Sequence, residues 1–423
     1  MKRERCNHDC CNSEDLFKSI EMKAFLTEVY SEQAAAEADE RYLGQNQSSP
    51  YRKGSLYRTH DEREDRACTL PEVVSLVEWV ELGALSREEA LLCTDAVYIG
   101  EVLRQAVHLQ QSKVSIVPGD PTVPTAPERL LQWSDEVRHL RVFANGVTPQ
   151  AAQLGKMLGA VGLGIVRCTD LLLTDDVREL LPTCLVSRDE QISKSMHQRL
   201  LGLFQEQWSS LLYELDGAPM TVSLRSPSDS EIEPYSLNSL QDIQLEALFR
   251  AILRCEQQGE DYTLDLVVPN PISGEQFAAS IDFIDQVAEQ TLCHMHRQVK
   301  YRVGVFVTEN ICPETVVTLA RYTNLLVLEW KERIIDPNVD STVQISISGS
   351  LLEMETLRNV RRIKPFIKIR MVGNLNATDL PAMYQLGMDE VSCNVKELPS
   401  VRLSAAQWEL TESVAELQSH HGL

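Results

Sequence analysis

Residues 262–269 read Tyr-Thr-Leu-Asp-Leu-Val-Val-Pro, residues 301–307 read Tyr-Arg-Val-Gly-Val-Phe-Val, and Gly274–His296 between them places apolar side chains at helical spacing. Short runs rich in β-branched and aromatic residues predict strands. Two such runs joined by a helix make a βαβ unit, whose strands must be parallel because the crossover returns the chain to the same edge. The alternation continues in both directions. Upstream lie the runs 142–144, 162–166 and 221–224, and downstream 325–328, 366–372 and 390–393. The amphipathic segments between these runs are 148–158, 193–215, 240–258, 313–322, 350–361 and 380–386. Eight strands alternating with helices over residues 141–423 predict an α/β fold, and the repeat number predicts a closed (β/α)8 barrel of the TIM type. Alternation alone leaves an open doubly wound sheet as the other arrangement.

Ahead of the barrel the pattern changes twice. Residues 1–66 are polar, with a helix-like stretch at 14–42 and a charged tether behind it, and predict a partly helical N-terminal extension. Residues 67–140 predict a helical segment that includes a Pro-rich linker at 117–127. Ser86-Arg-Glu-Glu89 has the form of a capping box and marks a helix start. The net charge of −22 argues against nucleic acid and anionic membrane surfaces as partners, since both select a basic face. No apolar run approaches the roughly 18 residues of a membrane span. Lys2 and Arg3 have no apolar stretch behind them, so no secretory signal is expected. The 11 cysteines are scattered and odd in number, which predicts a reduced, cytoplasmic protein.

Several segments resemble the C-terminal phosphoenolpyruvate/pyruvate-binding domain of the pyruvate, phosphate dikinase family. Val142-Phe-Ala-Asn-Gly-Val-Thr-Pro149 and Gly159-Ala-Val-Gly-Leu-Gly-Ile-Val-Arg167 are similar to its first two barrel strands. Asp216-Gly-Ala-Pro-Met-Thr-Val222 is similar to the entry to its third. Gly387-Met-Asp-Glu-Val-Ser-Cys393, followed by Val401-Arg-Leu-Ser-Ala-Ala-Gln407, is similar to its last strand and helix. The helical residues 80–92 resemble a segment that precedes the family's phosphohistidine domain, so the likeness runs in order over 70–423. The family's G-x-T-S-H phosphohistidine signature and its ATP-grasp domain have no counterpart in this sequence. The resemblance therefore carries no expectation of self-phosphorylation from ATP.

The resemblance implies a site at the C-terminal ends of the strands: arginines on phosphate and carboxylate, carboxylates on Mg2+, and a cysteine proton donor. Arg167 falls on the family's first phosphate-contacting arginine, and Cys393 on its proton-donor position, here expected to be vestigial. The second family arginine falls on Ser223, with Arg225 two residues on as a substitute. The two metal carboxylates fall on Thr308 and Lys331, and the family's Gly-Glu reads Gly373-Asn374, with Arg370 three positions before the glycine. No metal site and no cofactor is expected, because neither replacement offers the hard oxygen ligands Mg2+ requires. Mg2+ bound at the mouth through Glu309 or Glu329 would contradict this.

The expected role is a non-catalytic scaffold or interaction subunit with a protein partner or larger assembly, a homodimer through the barrel being open. Two alternatives remain. One is retained binding of phosphoenolpyruvate, pyruvate or a similar anion through Arg167, Arg225, Lys331, Arg370 and Asn374. The other is a phosphotransferase half completed by a separate phosphohistidine protein. Three remaining motifs carry simpler readings. Cys6-Asn-His-Asp-Cys10-Cys11 lacks a second cluster to complete a metal site. Cys293-His-Met-His296 ends a helix, where cationic histidines are favoured. Gly159–Gly164 lacks the Lys-Ser/Thr of a phosphate loop and reads as strand entry.

Overall fold

The computed structural model describes residues 70–111, 124–172, 174, 176–180, 190–225, 234–295, 299–308, 311–330 and 354–421. The stretch 14–42, the tether, the Cys6–Cys11 cluster, residues 117–123 of the linker, Glu309 and Lys331 lie outside these residues. The chain divides into two compact units, Met1–Glu72 and Val73–Leu423, and the second contains every strand among the described residues.

Eight parallel strands form the barrel: β1 (Arg141–Asn145), β2 (Leu163–Arg167), β3 (Pro219–Ser223), β4 (Thr263–Pro269), β5 (Tyr301–Val307), β6 (Leu325–Trp330), β7 (Lys368–Gly373) and β8 (Glu390–Asn394). Each strand pairs with the next, and β1 pairs with β8 from Arg141↔Glu390 to Asn145↔Asn394. That last ladder decides the choice left open by the sequence, since an open sheet would leave both strands with bare edges. The strands are buried on both faces, as parallel strands covered by helices must be.

Helices alternate with the strands. Before the barrel come α1 (Leu70–Glu81), α2 (Arg87–Leu92), α3 (Ala96–Gln111) and α4 (Ala126–Val137). Around it run α5 (Pro149–Met157), α6 (Cys168–Leu171), α7 (Glu190–Leu215), α8 (Pro234–Gln258), α9 (Gly274–Leu292), α10 (Pro313–Leu319), α11 (Met354–Ile363), α12 (Leu380–Gln385) and α13 (Leu398–His421). The capping box forms as its sequence requires: Ser86 Oγ accepts from Glu89 N at 3.1 Å and Ser86 N donates to Glu89 Oε2 at 2.9 Å. No helix among the described residues is long and apolar enough to cross a membrane.

Of the helices before the barrel, α2, α3 and α4 pack against α13. Arg402 is the central tie. It donates to Asp135 of α4, to Leu158 O at 2.5 Å and to Leu131 O at 3.4 Å. Gln407 Nε2 donates to Leu91 O and Thr94 O, each at 2.7 Å, and so satisfies carbonyls at and just past the end of α2.

Inside the barrel the side chains fall into two chemically different zones. An apolar cluster of Ile165, Val267, Phe306, Leu325, Val327 and Val372 fills the middle. Toward the N-terminal ends of the strands lies a layer of charge. Arg370 and Glu390 are fully buried and joined through Nε at 2.8 Å and Nη2 at 2.6 Å, both to Oε2. Arg370 Nη1 also donates to Gly164 O at 2.9 Å and Thr221 Oγ1 at 2.5 Å, and its guanidinium lies 4.0 Å from the Phe143 ring centroid. Arg141 holds the other oxygen of Glu390 at 2.8 Å, and Arg302 grips buried Asp265 in a fork at 2.6 and 2.8 Å. Gly164 sits at a register shift in β2; a Cβ there would come 2.0 Å from Ser392 Oγ, so only glycine leaves room.

Candidate functional site

A TIM-type barrel presents functional groups at the C-terminal ends of its strands. Here that rim carries Asn145, Arg167, Ser223, Thr308 and Glu329, each at or next to a strand end, with Ser392 two residues short of the end of β8. Arg167, the last residue of β2, donates from Nη2 to Glu329 Oε1 of β6 at 2.5 Å. β2 and β6 stand four strands apart in a barrel of eight, so this ion pair spans the mouth along a diameter. The Phe306 ring centroid lies 5.5 Å from the guanidinium and contributes a cation–π contact. The Glu329 side chain is 9% exposed, and its carboxylate therefore meets the arginine in a largely desolvated setting where pairing is favoured over separate hydration.

The rest of the rim is also internally bonded. Thr308 N donates to Asn270 Oδ1 at 2.8 Å, and Asn270 Nδ2 returns a bond to Thr308 Oγ1. Asn270 adopts a positive φ of 47°, a conformation its short amide tolerates better than most side chains do. Ser392 Oγ donates to Asn145 Oδ1 at 2.5 Å and Asn145 Nδ2 donates to Gly373 O at 2.8 Å, tying β8, β1 and β7 together at the top.

The residues expected at a ligand do not converge. Arg370 is third in β7 and lies among the charges of the barrel's lower layer, away from the rim. Its side chain is 1% exposed and already engaged. Burial pushes its pKa down, which the Glu390 carboxylate opposes. Arg225 lies beyond the end of β3, buried and close enough to Cys168 to act on that thiol electrostatically. Asn374 is exposed just after β7. Lys331 lies outside the described residues. Cys393 also fails to reach the mouth. Ser392 turns inward, so by strand alternation Cys393 faces the helical layer, where Sγ lies 4.0 Å from Phe143 O. Arg167, Ser223 and Thr308 stand on the rim.

Of the three thiols buried among the described residues, Cys168 and Cys393 are chemically quiet. Burial raises Cys393 well above the ordinary thiol range, and Glu397 adds to it. Burial raises Cys168 to about 12, Arg225 opposing and Asp170 adding. Iodoacetamide at pH 8, read by peptide mass spectrometry, is therefore expected to label exposed Cys293 and Cys312 and to leave Cys168 and Cys393 unmodified in the folded chain. Labelling of Cys393 at a rate comparable to Cys312 would show that it faces an open site.

Magnesium also finds a poor fit. Among the described residues no three His, Cys, Asp or Glu side chains gather. Glu329 is paired with Arg167, and Thr308 with Asn270, so among the described residues the rim gathers no set of carboxylate oxygens for a hard cation.

No protein-family model matches the chain. It is similar to pyruvate, phosphate dikinases. Pyruvate, phosphate dikinase 1, chloroplastic, of Oryza sativa subsp. japonica is 21% identical over 350 residues, covering 66% of this chain and 37% of that protein. Pyruvate, phosphate dikinase 2 of Zea mays is 21% identical over 387 residues, covering 73% and 44%. Pyruvate, phosphate dikinase of Rhizobium meliloti (strain 1021) is 22% identical over 391 residues, covering 76% and 42%. The chain thus spans about two-fifths of the length of the curated relatives it matches. Among solved structures, the crystal structure of SacUVDE is similar at 9% identity over 66% of this chain and 99% of that one, with a TM-score of 0.30 that supports no argument.

Two features of the rim are harder to find in the sequence than the strands themselves. Glu329 continues the inward alternation of Leu325 and Val327, and a lone acid at such a position signals an inward charge at a strand's end. Asn145 and Ser392 both lie inside the quoted motifs, yet nothing in either motif says that the two side chains bond to each other.

Proposed function

We propose that this chain is a pyruvate, phosphate dikinase-like, phosphoenolpyruvate-utilising-type barrel that no longer performs the parent chemistry and serves in the cytoplasm as a scaffold or interaction subunit for a protein partner. One observation carries the reading: the arginine expected to meet a phosphate is held across the mouth by Glu329. An anionic ligand would have to displace a carboxylate that is already in place, desolvated and hydrogen-bonded. It would lose that pair's energy before gaining any of its own. The bonded Thr308–Asn270 pair and the burial of Arg370 support the same conclusion, since each removes a group that a substrate or metal would use.

Calorimetric titration with phosphoenolpyruvate, pyruvate and oxalate, each with and without Mg2+, tests the proposal. The expected result is no saturable heat up to ligand concentrations of about 1 mM. Metal-dependent binding at millimolar or tighter affinity that is lost in Arg167→Ala would overturn it.

A further inference from the structure

Residues 354–368 carry Arg358, Arg361, Arg362, Lys364 and Lys368 against Glu355 alone, in a chain with 62 acidic and 40 basic side chains. Helices α10 and α11 pack on each other, and the links that follow them lead into β6 and β7. The two links end side by side: Lys368 N donates to Asn324 O at 3.0 Å, and Leu325 pairs with Lys368 in the ladder. They present Tyr322 at 60% exposure and Phe366 at 92%, the most exposed large apolar side chain among the described residues. Ile363, which ends α11, is also exposed. Arg321, Arg362 and Lys368 are exposed and Lys364 is half-buried, and among the described residues none of these forms an ion pair. Part of this basicity has a local cause. The C-terminal end of a helix favours cations, and Arg361 and Arg362 stand in the last turn of α11, Arg361 also pairing with Asp389 at 3.1 Å. That effect fades beyond the last turn and gives no reason for Lys364 and Lys368. Nor does it explain aromatic rings left in water. A single exposed apolar residue is ordinary, but Tyr322, Ile363 and Phe366 gathered among cations mark a contact surface.

We propose that this sector of the barrel's N-terminal face, the starts of β6 and β7 with the end of α11, docks an acidic segment of a partner protein that carries large apolar side chains. Phe366 and Tyr322 supply the apolar contact, and aromatic side chains are where protein contacts concentrate their energy. Arg321, Arg362, Lys364 and Lys368 select the charge of the partner. The net charge of −22 repels an acidic segment from the chain as a whole, so approach is directed to the one sector of opposite sign described here. The width of that sector favours a segment over a broad anionic surface. Glu260 and Asp261 stand exposed ahead of β4 on the same face. A bilayer or a nucleic acid laid on the face would meet those acids together with the bases, whereas a single peptide segment lies on the bases alone. This role rests on the reading of the chain as an interaction subunit and gives its partner a chemistry. The sector is at the end of the barrel away from Arg167 and Glu329, so each can be tested without the other.

Panning a display library of short random peptides on the full chain tests it. Enrichment is expected for sequences that combine Asp or Glu with Leu, Ile, Phe or Trp. The most enriched of them, made as a fluorescein-labelled peptide, is expected to bind with a Kd of about 10–100 μM at about 0.1 M salt and at least about 10-fold more weakly at about 1 M. Phe366→Ser, and separately Lys364→Glu with Lys368→Glu, are each expected to weaken that binding at least about 10-fold. Circular dichroism checks that both variants stay folded, and Arg362→Glu replaces the lysine pair if that variant does not fold. A library that enriches no acidic sequence, or a peptide held by both folded variants as tightly as by wild type, would overturn the proposal. Two further results would also overturn it by assigning the sector elsewhere. One is sedimentation of the chain with phosphatidylserine vesicles that Phe366→Ser abolishes, and the other is self-association that Phe366→Ser abolishes. Metal-dependent phosphoenolpyruvate binding at the mouth with peptide binding intact would instead sink only the reading of the mouth.

Discussion

Arg370→Ala is expected to lower folding stability by about 3–5 kcal/mol, read as a fall in the urea midpoint at unchanged slope. The size reflects the groups that the substitution leaves behind. Glu390 is 3% exposed in its side chain and would keep its charge in the barrel interior with only Arg141, a half-exposed partner, on one oxygen. Gly164 O and Thr221 Oγ1 would lose their donor in the same step, and the space over the Phe143 ring would become a cavity. The pair itself contributes far less than its breakage costs, because desolvating two charges offsets most of their attraction. Arg370→Met combined with Glu390→Gln is therefore expected to recover most of the loss. A double variant as unstable as Arg370→Ala would show that the charges, rather than the vacancy left by one of them, hold the layer together.

The second large effect lies outside the barrel. Arg402→Ala is expected to cost about 3 kcal/mol, and amide exchange is expected to quicken first in α4 and at the start of α13. Arg402 is nearly buried, and its guanidinium is shared between Asp135 and the carbonyls of Leu131 and Leu158. Burial lowers its pKa while the Asp135 bond opposes that, the balance expected of a cation retained in the interior by a specific partner. Gly159, at φ 74°, packs so close that a Cβ would meet the guanidinium, so backbone and side chain are fitted to one another. Uniform exchange throughout the chain would mean that Arg402 acts on the whole fold rather than on the seam between α13 and the helices before the barrel.

Legibility in the sequence differs sharply between fold and site. The apolar run 301–307 matches its strand to the residue and the other seven runs match theirs to within two, because apolar runs bounded by Gly, Pro and polar residues leave few other arrangements. Closure is not legible, since the β1–β8 ladder joins residues about 250 apart that no local pattern relates. The site is the least legible part. Arg370 has the residue type of an anion contact, but its depth in the barrel follows from its position as third residue of β7, and position outweighs type. The single charges inside apolar runs, Asp265, Arg302, Arg370 and Glu390, are a visible sign that the interior holds ion pairs. Similarly, Arg402 and Gln407 belong to a motif that resembles the dikinase family's last helix, and in this chain both bond to the carbonyls that end helices.

The central claim is that the mouth of the barrel holds an internal Arg167–Glu329 bond in place of a metal-centred site. Mn2+ titrated into the protein with excess oxalate and followed by electron paramagnetic resonance tests this most directly, because bound and free Mn2+ differ in signal and no turnover is needed. The free-ion signal is expected to grow in proportion to added Mn2+, with Glu329→Gln behaving as wild type. Stoichiometric loss of the free signal at one ion per chain, abolished by Glu329→Gln, would contradict the claim.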